Sequence, residues 1–292
     1  MSAIRNFDAI LRKMEEVHST KKHRKPDPEK EMSFWEHLEE LRWRLVRATL
    51  AIVAMAVVAF ANREFVFDTV LLGPLNSNFP TIRWLCNLGH MLGVEALCLD
   101  NSKLSLINIT MSGQFMQHLY ISMVAGFVIA SPYIFYELWA FIKPALRENE
   151  RRYSTRAITI VSVLFLLGTT FSYFLIVPLT INFLGTYQVS ALVANQVSLS
   201  PYVSTVVSVS LAVGVVFELP VLAWVLARLG IITPALMRKY RKVMIVVIFT
   251  LSAIITPPDI FSQIMVALPM LLLYEISILV AGGAAAIHEK GA

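Results

Sequence analysis

Apolar residues in this chain are gathered into long runs. Uncharged stretches cover Ala48–Ala61, Leu104–Tyr136, Ala157–Ala227, Val243–Pro258 and Ile260–Ile287, interrupted only by Glu218 and Glu275. A bilayer crossing needs roughly 20 consecutive apolar residues as helix. The 71-residue run Ala157–Ala227 is long enough for two crossings. The stretch Pro178–Pro201, with Asn182, Gly185, Gln188, Asn195 and Gln196, divides it. The pattern therefore predicts six helices, at about 45–61, 114–136, 157–177, 203–227, 242–255 and 260–281. The fifth is short: Val243–Ile255 has 13 residues before Thr256-Pro-Pro-Asp259. That is roughly 20 Å of helix against roughly 30 Å of hydrocarbon. Pro257 and Pro258 stop it. The fifth and sixth helices should form a hairpin that barely reaches the far face, thinning the bilayer locally.

Composition confirms a membrane class. Of 292 residues, 57% are hydrophobic and 15% charged, too apolar for an ordinary soluble domain. Cations then orient the helices. Eleven Lys and Arg lie in 1–47, five in 137–156, five in 228–242 and one, Lys290, in the tail, so 22 of 25 share one side. The remaining three are Arg63, Arg83 and Lys103. Both termini and both carboxylate-bearing loops are thereby expected in the cytoplasm. The pI near 9.2 reports this topology; no aromatic-interleaved basic surface points to nucleic acid. No cleavable signal peptide precedes the first apolar run. Residues 1–31 read as a charged, disordered cytoplasmic tail, 32–281 as a six-helix membrane domain with an extracytoplasmic loop at 62–113, and 282–292 as a short cytoplasmic tail.

Two groups of carboxylates lie where helices meet the cytoplasmic surface: Glu36, Glu39 and Glu40 before the first helix, and Glu148 and Glu150 in the 137–156 loop. Together they suit a cationic partner. Local pairing is the competing account. Glu40 stands four residues before Arg44 in the favourable helical order, and Glu150 is flanked by Arg147 and Arg151. Ser33 and Glu36 match a capping box. Glu218 sits mid-membrane to inner half, just before the helix-kinking Pro220. A charge there costs about 2.5–3.5 kcal/mol on insertion scales, so such a residue faces a cavity, a partner or a wet groove; a neutral Glu bonded to the adjacent turn is the alternative. Glu275 falls near the cytoplasmic interface. Thr256 and Gln263 place two polar side chains beside the hairpin tip, for interhelical hydrogen bonds or contact with water. Cys86 and Cys98, the only cysteines, lie in the extracytoplasmic loop, where disulfides are permitted; two free thiols buried on an amphipathic helix over Trp84–Leu99 are the alternative. No His-Glu-x-x-His or other catalytic constellation appears, and His90 and His118 lie apart from the carboxylate clusters. No enzyme activity, cofactor or metal is expected. A proton- or ion-coupled small-solute transporter using Glu218 is the rival class, although such folds show repeated halves and none is visible.

Four segments carry a resemblance. Phe34-Trp-Glu-His-Leu-Glu-Glu-Leu-Arg-Trp-Arg-Leu45, Leu138-Trp-Ala-Phe-Ile-Lys-Pro-Ala-Leu-Arg-Glu-Asn-Glu-Arg-Arg152, Phe217-Glu-Leu-Pro220 and Ile255-Thr-Pro-Pro-Asp-Ile-Phe-Ser-Gln263 resemble the motifs of the TatC family, the core subunit of the twin-arginine protein translocase. The resemblance runs from about Met32 to Ala281. It implies an all-α membrane protein whose six helices form a concave, glove-like wall. It implies binding of twin-arginine signal peptides of folded precursors through Glu40 and Glu150, with Leu41, Arg42, Phe141, Pro144 and Arg152 around them. It implies Glu218, with a hairpin polar site at Thr256 and Gln263, for single-span subunits of the TatA and TatB type. Transport driven by the proton-motive force, other copies of the chain and membrane lipid complete the implied setting in a bacterial cytoplasmic membrane. The long 62–113 loop, the tail 1–31 and Ala253, where some relatives carry a bulkier residue, depart from the pattern. Two arginines offered to two carboxylates would make charge-assisted, often bidentate bonds, which lysine lacks the planar fork to reproduce.

Overall fold

The computed structural model of the chain describes residues 34–76, 78–94, 98, 105–142, 154–188, 190, 195–256 and 259–291. Two units make up the chain, residues 1–43 and 44–292. The described helices are α1 (Phe34–Ala61), α2 (Pro80–Leu92), α3 (Gly113–Ile142), α4 (Ser154–Phe171), α5 (Val177–Thr186), α6 (Leu199–Val216), α7 (Leu219–Arg228), α8 (Pro234–Lys239), α9 (Arg241–Ile255) and α10 (Ile260–Gly291). The protein is an all-α integral membrane protein. Five segments are long and apolar enough to cross a bilayer: His37–Ala61, Gly113–Phe141, Ala157–Thr186, Leu199–Arg228 and Ile260–Ala284.

The observed boundaries correct the sequence expectation in two places. The third apolar helix does not stop before Pro178. A π-helical stretch, Ser172–Ile176, follows α4, and Pro178 sits in the first turn of α5. The wider π turn and an N-terminal position both tolerate a residue without an N–H, so the apolar segment runs on to Thr186. Asn182 and Gly185, read as turn residues, are buried within α5. The fourth helix is two helices. Pro220 lacks the N–H that would bond back into α6, and the helix breaks at Phe217 and Glu218 before α7 begins. The short fifth helix is α9, with 15 residues.

The core of the larger unit is built from β-branched side chains, whose single preferred rotamer in a helix packs without loss of freedom. Val203, Val206, Val209 and Val213 of α6 meet Ile176, Val177 and the Val266, Ala267, Met270 and Ile278 face of α10. α6 packs on α4, α7 and α9 on α10, and α3 on both α4 and α6. Close approach depends on small residues. A Cβ at Gly126 of α3 would lie 2.6 Å from the Ala56 backbone nitrogen of α1. One at Gly168 of α4 would lie 2.6 Å from the Phe217 ring. The outward faces stay apolar: Leu50, Val57, Phe115, Leu167, Leu222, Leu272 and Leu279 are exposed, as lipid-facing positions are.

The loop after α1 is folded onto the helix ends. A π-helical turn (Phe65–Leu71) and a 3₁₀ turn (Gly73–Leu75) lead to α2. Tyr173 and Tyr202 donate to the Val70 and Leu71 carbonyls, each at 2.6 Å. Thr81 of α2 donates to the Phe174 carbonyl. Strands β1 (Leu106–Ile107) and β2 (Val197–Ser198) pair in parallel, Leu106 opposite Val197, joining this loop to the one before α6. Cys86 and Cys98 are joined by a disulfide.

Candidate functional site

Glu40 and its neighbours Leu41 and Arg42 lie on the first turns of α1, Glu40 half-buried, Leu41 and Arg42 exposed. Phe141, half-buried, is the penultimate residue of α3. Pro144, Glu148, Glu150 and Arg152 lie outside the described residues, as do Ser33 and the tail 1–31.

Sequence reasoning missed a second acidic centre close to Phe141. Glu137 of α3 is 3% exposed. Arg44 Nη1 approaches its Oε2 at 3.3 Å and Arg47 Nη1 its Oε1 at 3.8 Å. The Tyr133 hydroxyl, one turn back on α3, donates to Oε1 at 2.7 Å. A buried carboxylate is tolerated when paired and hydrogen-bonded. Arg44 and Arg47 of α1 meet that need, and they fix α1 against α3 about three turns along from the Gly126 contact. Arg44, weighed in the sequence as a partner for Glu40, thus bridges to Glu137. The spacing Tyr133-x-x-x-Glu137 was visible in the sequence; the arginines, 93 residues away in the case of Arg44, were not.

Glu218 sits at the break between α6 and α7. Both carboxylate oxygens are buried and have no hydrogen-bond partner among the described residues. The Phe165 backbone acts on the carboxylate, an interaction too weak to count as a hydrogen bond. Leaving a buried polar group unsatisfied costs about 1–3 kcal/mol, more for a charged one. The bond to the adjacent turn that the sequence left as an alternative is not made.

The hairpin polar residues are used within the chain. Gln263 Nε2 of α10 donates to the Phe249 carbonyl of α9 at 3.0 Å. Thr256 Oγ1 donates to the Ser252 carbonyl at 2.8 Å. Asp259 caps α10, its Oδ1 accepting from the Ser262 N–H at 2.7 Å. No hydrogen bond joins Thr256 or Gln263 to Glu218. Instead Gln263 and Asp259 line an open pocket of about 620 Å³ with Ala253, Phe183, Leu184 and Tyr187. Farther along the hairpin, Arg241 and Glu275 form an ion pair at 2.6 Å, the partner of the carboxylate placed near the interface from sequence.

Residues 36–269 match the family model described as the Sec-independent protein translocase protein TatC. This chain belongs to the TatC family. A TatC from Blattabacterium sp. subsp. Periplaneta americana is 36% identical over 250 residues, covering 85% of this chain and 94% of that protein. The TatC of Aquifex aeolicus is 36% identical over 248 residues, covering 85% and 93%. A crystal structure described as the twin arginine translocase receptor TatC superimposes with a TM-score of 0.68 at 34% identity, covering 85% of this chain and 99% of that one. The TatC match takes in Glu40, Glu137, Glu150, Glu218, Thr256 and Gln263. The family is a translocase component, so the role is transport.

Proposed function

We propose that this chain is the receptor of a twin-arginine translocase in a bacterial cytoplasmic membrane, reading the signal peptides of folded precursors on its cytoplasmic surface. Glu40 and Glu150 bind the paired arginines, with Leu41, Arg42, Phe141, Pro144 and Arg152 around them. Glu218 engages a polar group on a single-span subunit of the TatA or TatB type, and Thr256 and Gln263 mark a second contact at the hairpin tip. Copies of the chain assemble with these subunits, and the proton-motive force drives transport. The observation that carries the reading is a TatC match over most of the chain that includes both surface carboxylates, each in a segment on the cation-rich side. The buried, unsatisfied Glu218 carboxylate supports the membrane contact, since a donor from another helix would satisfy it.

Losing one member of a charge-assisted pair costs about 1.5–3 kcal/mol, roughly 10- to 150-fold in affinity. Glu40→Ala and Glu150→Ala should each weaken binding of an Arg-Arg precursor by that factor. A Lys-Lys precursor should bind wild type weakly and lose little more with either variant. Equal losses for both precursors would show that the glutamates do not read the arginines. In the same membranes, a photocrosslinker at position 218 should capture a single-span subunit; no adduct would remove Glu218 from the partner contact.

A further inference from the structure

The loop after α1 carries a donor set that transport leaves unused. His90 stands four residues after Cys86 on α2, hence on the same face one turn along. Cys98 folds back beside both. The His90 Nε2 atom lies 3.6 Å from Cys86 Sγ and 3.7 Å from Cys98 Sγ. The three donor atoms all fall within 4.8 Å of one another. His90 is exposed, and among the described residues its side chain hydrogen-bonds only to these sulfurs.

Zinc held by sulfur at about 2.3 Å and imidazole nitrogen at about 2.0–2.1 Å in a tetrahedron needs an S···N edge of about 3.6 Å and an S···S edge of about 3.8 Å. Both S···N edges already have that length. The S···S edge must still open from bonding distance to about 3.8 Å, and reduction of the disulfide frees the two sulfurs to part. We propose that Cys86, His90 and Cys98 form a redox-gated zinc site, closed as the disulfide and open as the dithiol. A dithiol reductant delivers two electrons and two protons to the Cys86–Cys98 bond and becomes a disulfide; a phosphine does so with one water, which supplies the oxygen of the phosphine oxide and the two thiol protons. Zn²⁺ then displaces one proton from each thiol to solvent. Neutral His90 binds through Nε2, and the fourth corner faces solvent. A disulfide oxidant then takes two electrons from the thiolates by thiol–disulfide exchange, is itself reduced to two thiols, and re-forms the Cys86–Cys98 bond, which removes two ligands and expels the metal.

The test uses the full chain in detergent micelles with Zn²⁺ as the probe. One sample is kept oxidised; the other is reduced with a phosphine and desalted. Competition with a chromophoric chelator reads affinity, and Co²⁺ substitution reads thiolate ligation through its charge-transfer absorption. The reduced chain should take up a single competing Zn²⁺ and show the Co²⁺–thiolate band, and the oxidised chain should do neither. Cys86→Ser should abolish the band. His90→Ala, at an exposed position with both cysteines intact, should still form the disulfide yet bind Zn²⁺ roughly tenfold or more weakly when reduced. Equal Zn²⁺ uptake by oxidised and reduced chains would overturn the proposal, as would unchanged affinity in His90→Ala.

Discussion

Single charges in this protein are informative in proportion to how apolar their surroundings are. Glu218 stands alone in a run of 71 residues, so sequence alone isolates it, and its unsatisfied oxygens agree with a group awaiting a partner. Glu137 is more deeply buried but sits one residue past the end of an uncharged run, where a charge is unsurprising. Its role depends on Arg44 and Arg47, side chains of another helix, and pairing at such separation leaves no periodic trace. Gln263 is a related case. Its polarity is legible, but the Phe249 carbonyl that it meets is backbone and carries no sequence signal. The Glu137 centre makes a stability prediction. Glu137→Ala removes the ion pair to Arg44, which is 19% exposed as a side chain, and the Tyr133 acceptor. The expected loss is about 1.5–3 kcal/mol, read as a lower unfolding midpoint in detergent. Glu137→Gln keeps an acceptor for Tyr133 and should lose less. An alanine variant as stable as wild type would mean that the α1–α3 contact does not depend on this ion pair.

At the scale of elements, the apolar runs foretold which segments would be helices, and prolines misled only where the helix had a local remedy. The stretch that opens at Pro178 reads as a divider because of its turn residues Asn182, Gly185, Gln188, Asn195 and Gln196. The π turn before it supplies the slack, and π turns have no composition that marks them. Pro220 has no such remedy and breaks the helix at Glu218. Glycines did not register as contacts, because a missing side chain shows nothing of what fills its place. Gly126 supplies the test. A Cβ there would lie 2.6 Å from the Ala56 nitrogen and 2.8 Å from the Ile52 carbonyl oxygen, backbone atoms that cannot swing away. Gly126→Ala should therefore push α1 off α3, costing about 1–3 kcal/mol as overpacking does. Gly283→Ala, where nothing lies within 4 Å, should leave stability unchanged or slightly raised. Thermal unfolding of the two variants side by side decides it: equal midpoints would show that the helices separate without cost.

For the whole molecule the open quantity is the number of crossings, and α9 decides it. Five segments satisfy length and apolarity; α9, at 15 residues, rises only about 22 Å. Its contacts show how it runs. Gln263 meets Phe249 and Glu275 meets Arg241, so α9 lies antiparallel to α10 from the tip down to the level of residue 275. Tyr274 donates to the Met237 carbonyl at 2.8 Å, which sets α8 at that same level. The apolar segment of α10 continues to Ala284, about 14 Å beyond residue 275. The basic residues Arg238, Lys239, Arg241 and Lys242 therefore sit level with an apolar stretch of α10, where long side chains reach the interface by snorkelling and the bilayer thins. The tip is shared by both helices, so wherever α10 begins its crossing, α9 has ended one. On that reading six crossings are expected, with both termini on the side that holds 22 of 25 cations. Single cysteines at Asn78→Cys, Asn149→Cys and Ala292→Cys, in a chain carrying Cys86→Ser and Cys98→Ser, test this with a membrane-impermeant maleimide on intact cells. Position 78 should label from outside, and 149 and 292 only after lysis. Labelling of 292 with 149 protected would mean that α9 turns back within the bilayer and the chain crosses five times. Labelling of 149 would invert the topology and remove Glu150 from the cytoplasmic surface where a precursor arrives.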